Sequence, residues 1–222
     1  MSKREAIEQL LKEWGSRFST ELGINIDSGS SGEIFKWFLA SILFGTRIRQ
    51  SAAMQTYREF KKRGVLTPDA ILKTGWDGLV QILDAGGYAR YDFKTATKLL
   101  GISEMLNNRY SGDLNRLHEE ARDPGDLESR LMEFKGVGEV TVNIFLRELR
   151  DIWQKADPIP GDTVIIAARK LGLTSLEGHT DEEKRKILEE LKRLLEQAAL
   201  PYCFSDFEAA LVRFGTEIRR RK

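Results

Sequence analysis

The sequence predicts an all-α protein. Apolar residues recur at spacings of three and four along almost every segment of the 222-residue chain, the period of a helix with one buried face. No segment alternates apolar and polar residues as a half-buried strand does, and nothing repeats at a period of roughly 20–50 residues. The segments are also punctuated as helices are, with Ser, Thr or Asp before several of them and Gly after.

Taken in order, residues 3–14 carry Ile7, Leu10, Leu11 and Trp14 on one stripe. Residues 20–33 are rich in Gly, Ser, Asn and Asp and read as a loop. From Glu33 to about Phe44 the chain is apolar on most faces, which predicts a helix at the centre of a helical domain. Residues 51–63 form an amphipathic helix with a cationic last turn, Lys61-Lys62-Arg63, and a stop at Gly64. Thr67 caps the next helix and Pro68 occupies its first turn. Helices at about 76–84 and 91–108 are split by Gly86-Gly87-Tyr88, and residues 109–125 read as a loop or short helix. Helices follow at about 126–133, 139–150, 163–171, 181–199 and 205–219, with Arg219 to Lys222 expected to fray. The helix at 181–199 opens on Thr180-Asp181-Glu182-Glu183, the pattern of a capping box.

Composition narrows the chemistry. With 41% hydrophobic and 31% charged residues, the chain is neither disordered nor collagen-like. One cysteine, Cys203, excludes an intrachain disulfide framework and a four-cysteine zinc or iron–sulfur site, and His118 and His179 leave little for a histidine-rich metal site. Lys and Arg total 35 against 34 acids, so global charge neither demands nor excludes nucleic acid. No run approaches the ~20 apolar residues of a membrane span. Met1-Ser2-Lys3-Arg4-Glu5 leads into an amphipathic stretch rather than an apolar signal core, so the expected location is intracellular.

The most informative stretch is Phe134-Lys135-Gly136-Val137-Gly138-Glu139-Val140-Thr141, between two helical segments. Glycines separated by one apolar residue allow a tight hairpin. Val137 would plug the gap between the helices, and the amides from Gly138 to Thr141 would open the second helix as an anion site suited to a DNA phosphate. This is the helix–hairpin–helix pattern, and a plain glycine turn between packed helices is the bland account of it. The second signal is Asp157-Pro158-Ile159-Pro160-Gly161-Asp162, a Pro-Gly-Asp turn opening a helix, for which simple N-capping by Asp162 is the bland account.

A hairpin, one helix, a Pro/Gly loop and an Asp at a helix start together resemble the helix–hairpin–helix, Gly/Pro-Asp DNA glycosylases, a superfamily that includes the endonuclease III, adenine mismatch and 3-methyladenine enzymes. The resemblance runs from about residue 30 to residue 218. It is strengthened by Gly86-Gly87-Tyr88 followed by Lys94-Thr95-Ala96, and by the apolar helix ending in Leu43-Phe44-Gly45-Thr46-Arg47. It implies two helical subdomains with a DNA-binding cleft between them: residues 30–125 as a mainly six-helix-type subdomain, and residues 126–222 as the hairpin and C-terminal helices, with residues 1–29 packed on the latter. It also implies that Asp162 is the catalytic carboxylate, that Gly136, Val137, Gly138, Glu139, Val140 and Thr141 bind phosphate, and that Gly45, Thr46, Arg47 and Arg49 form a DNA-probing loop.

Three departures from the superfamily matter. Val140 stands where members that cut the strand carry a Schiff-base lysine, and Lys135 does not match that position, so covalent attack on the sugar is not expected. The C-terminal cysteine cluster of the endonuclease III branch is missing. Gly45 stands where several members insert Gln into the duplex. The chain is most similar to the small 3-methyladenine glycosylases built without an iron–sulfur cluster, which end in a segment like Ala210-Leu211-Val212-Arg213-Phe214-Gly215.

The implied partner is double-stranded DNA with a damaged base, met by a monomer without membrane association, in the cytoplasm at the nucleoid. No cofactor is implied beyond a structural K⁺ or Na⁺ on carbonyls of the Phe134–Gly138 hairpin. Trp14, Phe18, Trp37, Phe44, Tyr88 and Tyr91 are the aromatic candidates, and Trp37, Phe44, Tyr88 and Tyr91 are the ones assigned to a base pocket. Core packing is the plainer account of Trp37 and Phe44, whereas Tyr88 and Tyr91 flank a glycine turn and are expected to face a cleft. The basic run Arg47, Arg49, Arg58, Lys61, Lys62 and Arg63 reads as backbone contact or as a solvated helix face. An alkylated purine is the favoured substrate. A uracil or thymine mismatch, a non-catalytic DNA-binding module and an inert helical scaffold are the alternatives.

Overall fold

A computed structural model describes residues 2–221; Met1, and Lys222 at the end of the tail expected to fray, lie outside the described residues. Twelve α-helices and one short 3₁₀ helix account for the regular structure, with no strand among the described residues. None of these helices is long and apolar enough to cross a membrane.

The chain divides into two compact units, residues 22–145 and the discontinuous set 1–21 plus 146–222. Residues 22–29 and 126–145, grouped with the C-terminal helices in the sequence-based expectation, therefore fall with the segment between them.

In the unit of residues 22–145, α3 (Ser31–Phe44) is the central helix. Its residues Ile34, Trp37, Phe38, Leu39 and Leu43 are all at most 1% exposed. Around it come α4 (Gln50–Lys62), α5 (Pro68–Ala85), α6 (Asp92–Tyr110), α7 (Leu114–Glu120), α8 (Pro124–Met132) and the start of α9 (Glu139–Arg147). The helix α5 is two helices joined at Gly75, whose φ of 69° and ψ of 175° no helix contains, so the expected break before residue 76 is present. The stretch 109–125 resolves into α7, capped by Asp113, and the start of α8, capped by Asp123 with Pro124 in its first turn.

In the other unit, α1 (Lys3–Trp14) and α2 (Phe18–Glu21) join α10 (Asp162–Lys170), α11 (Asp181–Ala198) and α12 (Phe204–Arg220). Both ends of the chain build one core: Ile7, Leu10 and Leu11 of α1 pack with Val164, Ile187, Leu191, Phe207 and Leu211. Arg219 and Arg220, expected to fray, continue α12. Two buried carboxylates are satisfied rather than stranded. Glu148 accepts from the Phe18 and Ser19 amides at 2.9 and 3.0 Å, closing the start of α2. Glu208, 1% exposed, pairs with Arg150, 5% exposed, at 2.8 Å.

Candidate phosphate hairpin and carboxylate site

The hairpin between α8 and α9 is anchored from beneath. Phe134 is fully buried and its ring lies 5.7 Å from that of Phe38 on α3, which also meets Phe145 at 4.9 Å. The Val137 amide donates to the Phe134 carbonyl at 2.9 Å and closes the turn, and the Val137 side chain is 5% exposed, filling the gap as expected. Gly136 has φ 84°, the left-handed region that a side chain disfavours. It is also crowded, since a Cβ there would lie 2.8 Å from Cε of Lys98 on α6. Gly138, Glu139 and Val140 are exposed at the head of α9, where first-turn amides have no intrahelical acceptor. Val140 is 64% exposed. Thr141 differs: its side chain is buried, so its amide is the part that fits the expectation.

The loop after α3, the candidate DNA-probing segment, is built onto the same hairpin. A Cβ on Gly45 would fall 2.1 Å from Thr141 Oγ1, so the end of α3 touches the first turn of α9 through a glycine and nothing larger fits. Gly45 is thus a contact point, and Thr46 to Arg49 form the part of the loop that reaches solvent, with Arg47 and Arg49 exposed. Tyr88 ties a third loop in, its hydroxyl donating to the Leu43 carbonyl at 2.7 Å.

Two base-pocket expectations are corrected by burial. Trp37 is 0% exposed, with Nε1 donating to the Phe145 carbonyl at 3.0 Å. Tyr88 is 1% exposed, and burial pushes its hydroxyl up to about 12. Each ring is in the core with its polar atom satisfied, so neither presents a face to a base. Phe44, whose ring lies 6.3 Å from Trp37, and Tyr91, 6.4 Å from Tyr88 and covered on one side by Arg90 at 5.6 Å, are half-buried.

Two features crowd the hairpin carbonyls on which an alkali ion would rest. The Phe134 carbonyl is already engaged by the Val137 amide, and the stem of Lys98 packs over the turn at Gly136. Lys98 makes no hydrogen bond or ion pair among the described residues, and burial with Lys94 nearby lowers its affinity for a proton. A second cation on that turn would meet this one's charge. No group of three or more His, Cys, Asp or Glu side chains among the described residues could hold a metal ion either.

Asp162 belongs to the other unit, at the first position of α10. The cap residue is Gly161, so Asp162 is not the N-cap of that helix. Its side chain is 74% exposed and makes no hydrogen bond among the described residues. Two cations lie at long ionic range, Arg219 Nη2 at 3.9 Å from Oδ2 and Lys184 Nζ at 4.0 Å from Oδ1. The loop before it is held at Asp157 by Arg150 at 2.9 Å, Arg185 at 2.5 Å and Lys192 at 3.1 Å. On the far side, Gly215 of α12 lets the backbone of Thr163 approach, since a Cβ there would lie 2.1 Å from the Thr163 carbonyl oxygen. Asp157, Lys184, Gly215 and Arg219 were not among the sequence candidates.

No family model and no curated protein matches this sequence. A solved structure does match: the crystal structure of H. pylori 3-methyladenine DNA glycosylase (MagIII) bound to 1,N6-ethenoadenine, with a TM-score of 0.62 at 13% identity over 100% of this chain and 98% of that one. The chain has the fold of that glycosylase. At this identity the likeness concerns the backbone alone, and the all-α class expected from the sequence is the one observed.

Proposed function

We propose that this protein is a base-excision DNA glycosylase that hydrolyses the N-glycosidic bond of a flipped, damaged base in duplex DNA and leaves the strand uncut. An alkylated purine is the proposed substrate. The observation that carries the reading is the state of Asp162: an exposed carboxylate at a helix start, with no hydrogen bond among the described residues and relieved of capping by Gly161. The likeness in fold to a 3-methyladenine glycosylase and the exposed amides at the head of α9 support it.

The chemistry follows from the charge that develops. Departure of the base leaves positive charge on the sugar, and a fixed carboxylate stabilises it and orients the attacking water. The target must first leave the stack. A cationic alkylated purine is already a good leaving group, so the protein need supply little acid to it. The amides of Gly138, Glu139 and Val140 hold the backbone by phosphate contact without reading sequence. Val140 offers no amine, so a covalent sugar adduct is not formed from that position.

The test is base release from duplexes carrying 3-methyladenine, 7-methylguanine, 1,N6-ethenoadenine, hypoxanthine, uracil or thymine mismatches and 8-oxoguanine, with and without hot alkali. Strand breaks that need alkali are expected for at least one alkylated or etheno purine. Asp162→Asn is expected to lower the rate about 100-fold or more while duplex binding persists. Unchanged release by that variant, or binding without release from every lesion, overturns the reading in favour of a binding module.

A further inference from the structure

The surroundings of Asp162 carry two cations that have no other partner among the described residues. Neither Lys184 nor Arg219 makes a hydrogen bond among the described residues, and each approaches a different carboxylate oxygen at the outer limit of an ion pair. They come from different helices, α11 and α12, which are held by independent contacts. Arg185, next to Lys184, grips Asp157 through both its carboxylate and its carbonyl, at 2.5 and 3.1 Å, and so fixes the start of α11 to the loop that precedes Asp162. The glycine contact of Gly215 with Thr163 sets α12 against the start of α10 one turn before Arg219. Lys184 is 24% exposed and Arg219 50%, so the first is already positioned and the second can reach outward.

We propose that Lys184 and Arg219 form a clamp for the two backbone phosphates that flank the nucleotide over Asp162. This rests on the reading of Asp162 as the carboxylate of the reaction. The electrostatic logic is direct. A carboxylate set beneath a sugar must approach two phosphate anions, and that repulsion opposes binding unless cations stand beside it. Two cations around one carboxylate leave a net positive charge, and their uncommitted donors can turn to phosphate oxygen without breaking a hydrogen bond. The clamp is thus a binding site local to the target nucleotide, in a different unit from the hairpin.

The experiment measures binding to a duplex carrying a tetrahydrofuran abasic-site analogue, which needs no turnover, against ionic strength. The proteins are wild type, Lys184→Gln, Arg219→Gln, the charge-keeping Lys184→Arg and Arg219→Lys, and Lys186→Gln, which removes a neighbouring lysine paired with Glu182. Removing one cation that neutralises a phosphate lowers the slope of log affinity against log salt by about 0.9. The Gln variants at 184 and 219 are each expected to show about that decrease, with affinity about tenfold weaker at low salt. The charge-keeping variants and Lys186→Gln are expected to keep the slope. Unchanged slopes in both Gln variants overturn the clamp, and if the pH profile of their base release, measured in parallel, shifts while the slopes do not, the cations are tuners of Asp162 alone. The glycosylase reading fails separately, by absence of base release in the wild type while these slopes remain measurable.

Discussion

Tyr88 shows how a single buried group decides between site and scaffold. Its hydroxyl donates to the Leu43 carbonyl, and burial raises its pKa to about 12 from an ordinary 10. The sign for stability is fixed. Below pH 10 both folded and unfolded chains keep the proton and the contribution is whole. As pH rises toward 12, only the unfolded chain ionises freely, so stability is lost across that window. Tyr88→Phe is expected to cost about 1 kcal/mol at neutral pH, because the Thr46 amide still donates to the Leu43 carbonyl at 3.4 Å. The variant should also lose stability less steeply between pH 10 and 12 than wild type, in urea midpoints taken at each pH. Some alkaline loss will remain, since burial also raises Tyr57. Equal slopes would show that Tyr88 is not buried in solution. Base release by Tyr88→Phe should survive, because this ring packs in the core.

At the scale of elements, two glycines in helices receive opposite predictions from the same substitution. Gly215→Ala puts a Cβ 2.1 Å from the Thr163 carbonyl, a backbone atom that cannot step aside, so α12 must move from α10. A loss of about 1–3 kcal/mol is expected, with a fall in base release as Asp162 shifts with its helix. Gly101→Ala on α6 meets nothing within 4 Å and should gain about 0.5–1 kcal/mol with activity unchanged. Thermal midpoints and single-turnover rates of the two variants check both signs. The helices themselves were legible because their period and caps are local: Thr67 and Thr180 cap where the sequence places them. The hairpin was legible for the same reason, since Gly136, Val137 and Gly138 act on their own neighbourhood. Burial was not. An aromatic ring beside a glycine turn reads alike whether it lines a cleft, as expected of Tyr88, or fills a core. The partners of Asp162 were hidden because Lys184 and Arg219 reach it only through the packing of α11 and α12 on α10, which no spacing in the sequence encodes.

At the scale of the molecule, the unit that carries Asp162 is closed by the chain's first helix. Leu11, Leu10 and Ile7 are at most 4% exposed and share a core with Ile187, Leu191 and Phe207, residues from the far end of the sequence. Burial of each such side chain stabilises by about 1.5–3 kcal/mol. Removing α1 therefore withdraws a sum on the order of the whole stability of a domain, about 5–15 kcal/mol. Deletion of residues 2–14 is expected to unfold α10 to α12 while the unit of residues 22–145, whose core of Phe38, Phe134 and Phe145 includes nothing from α1, keeps its structure. Hydrogen exchange by peptide is the measurement: protection should vanish over 162–220 and persist over 31–145. Salt-dependent DNA binding should persist in part, through the hairpin, while base release is lost. If protection over 162–220 survived the deletion, the carboxylate's unit would be built by the C-terminal helices alone, and α1 would be an ornament on a core that did not need it.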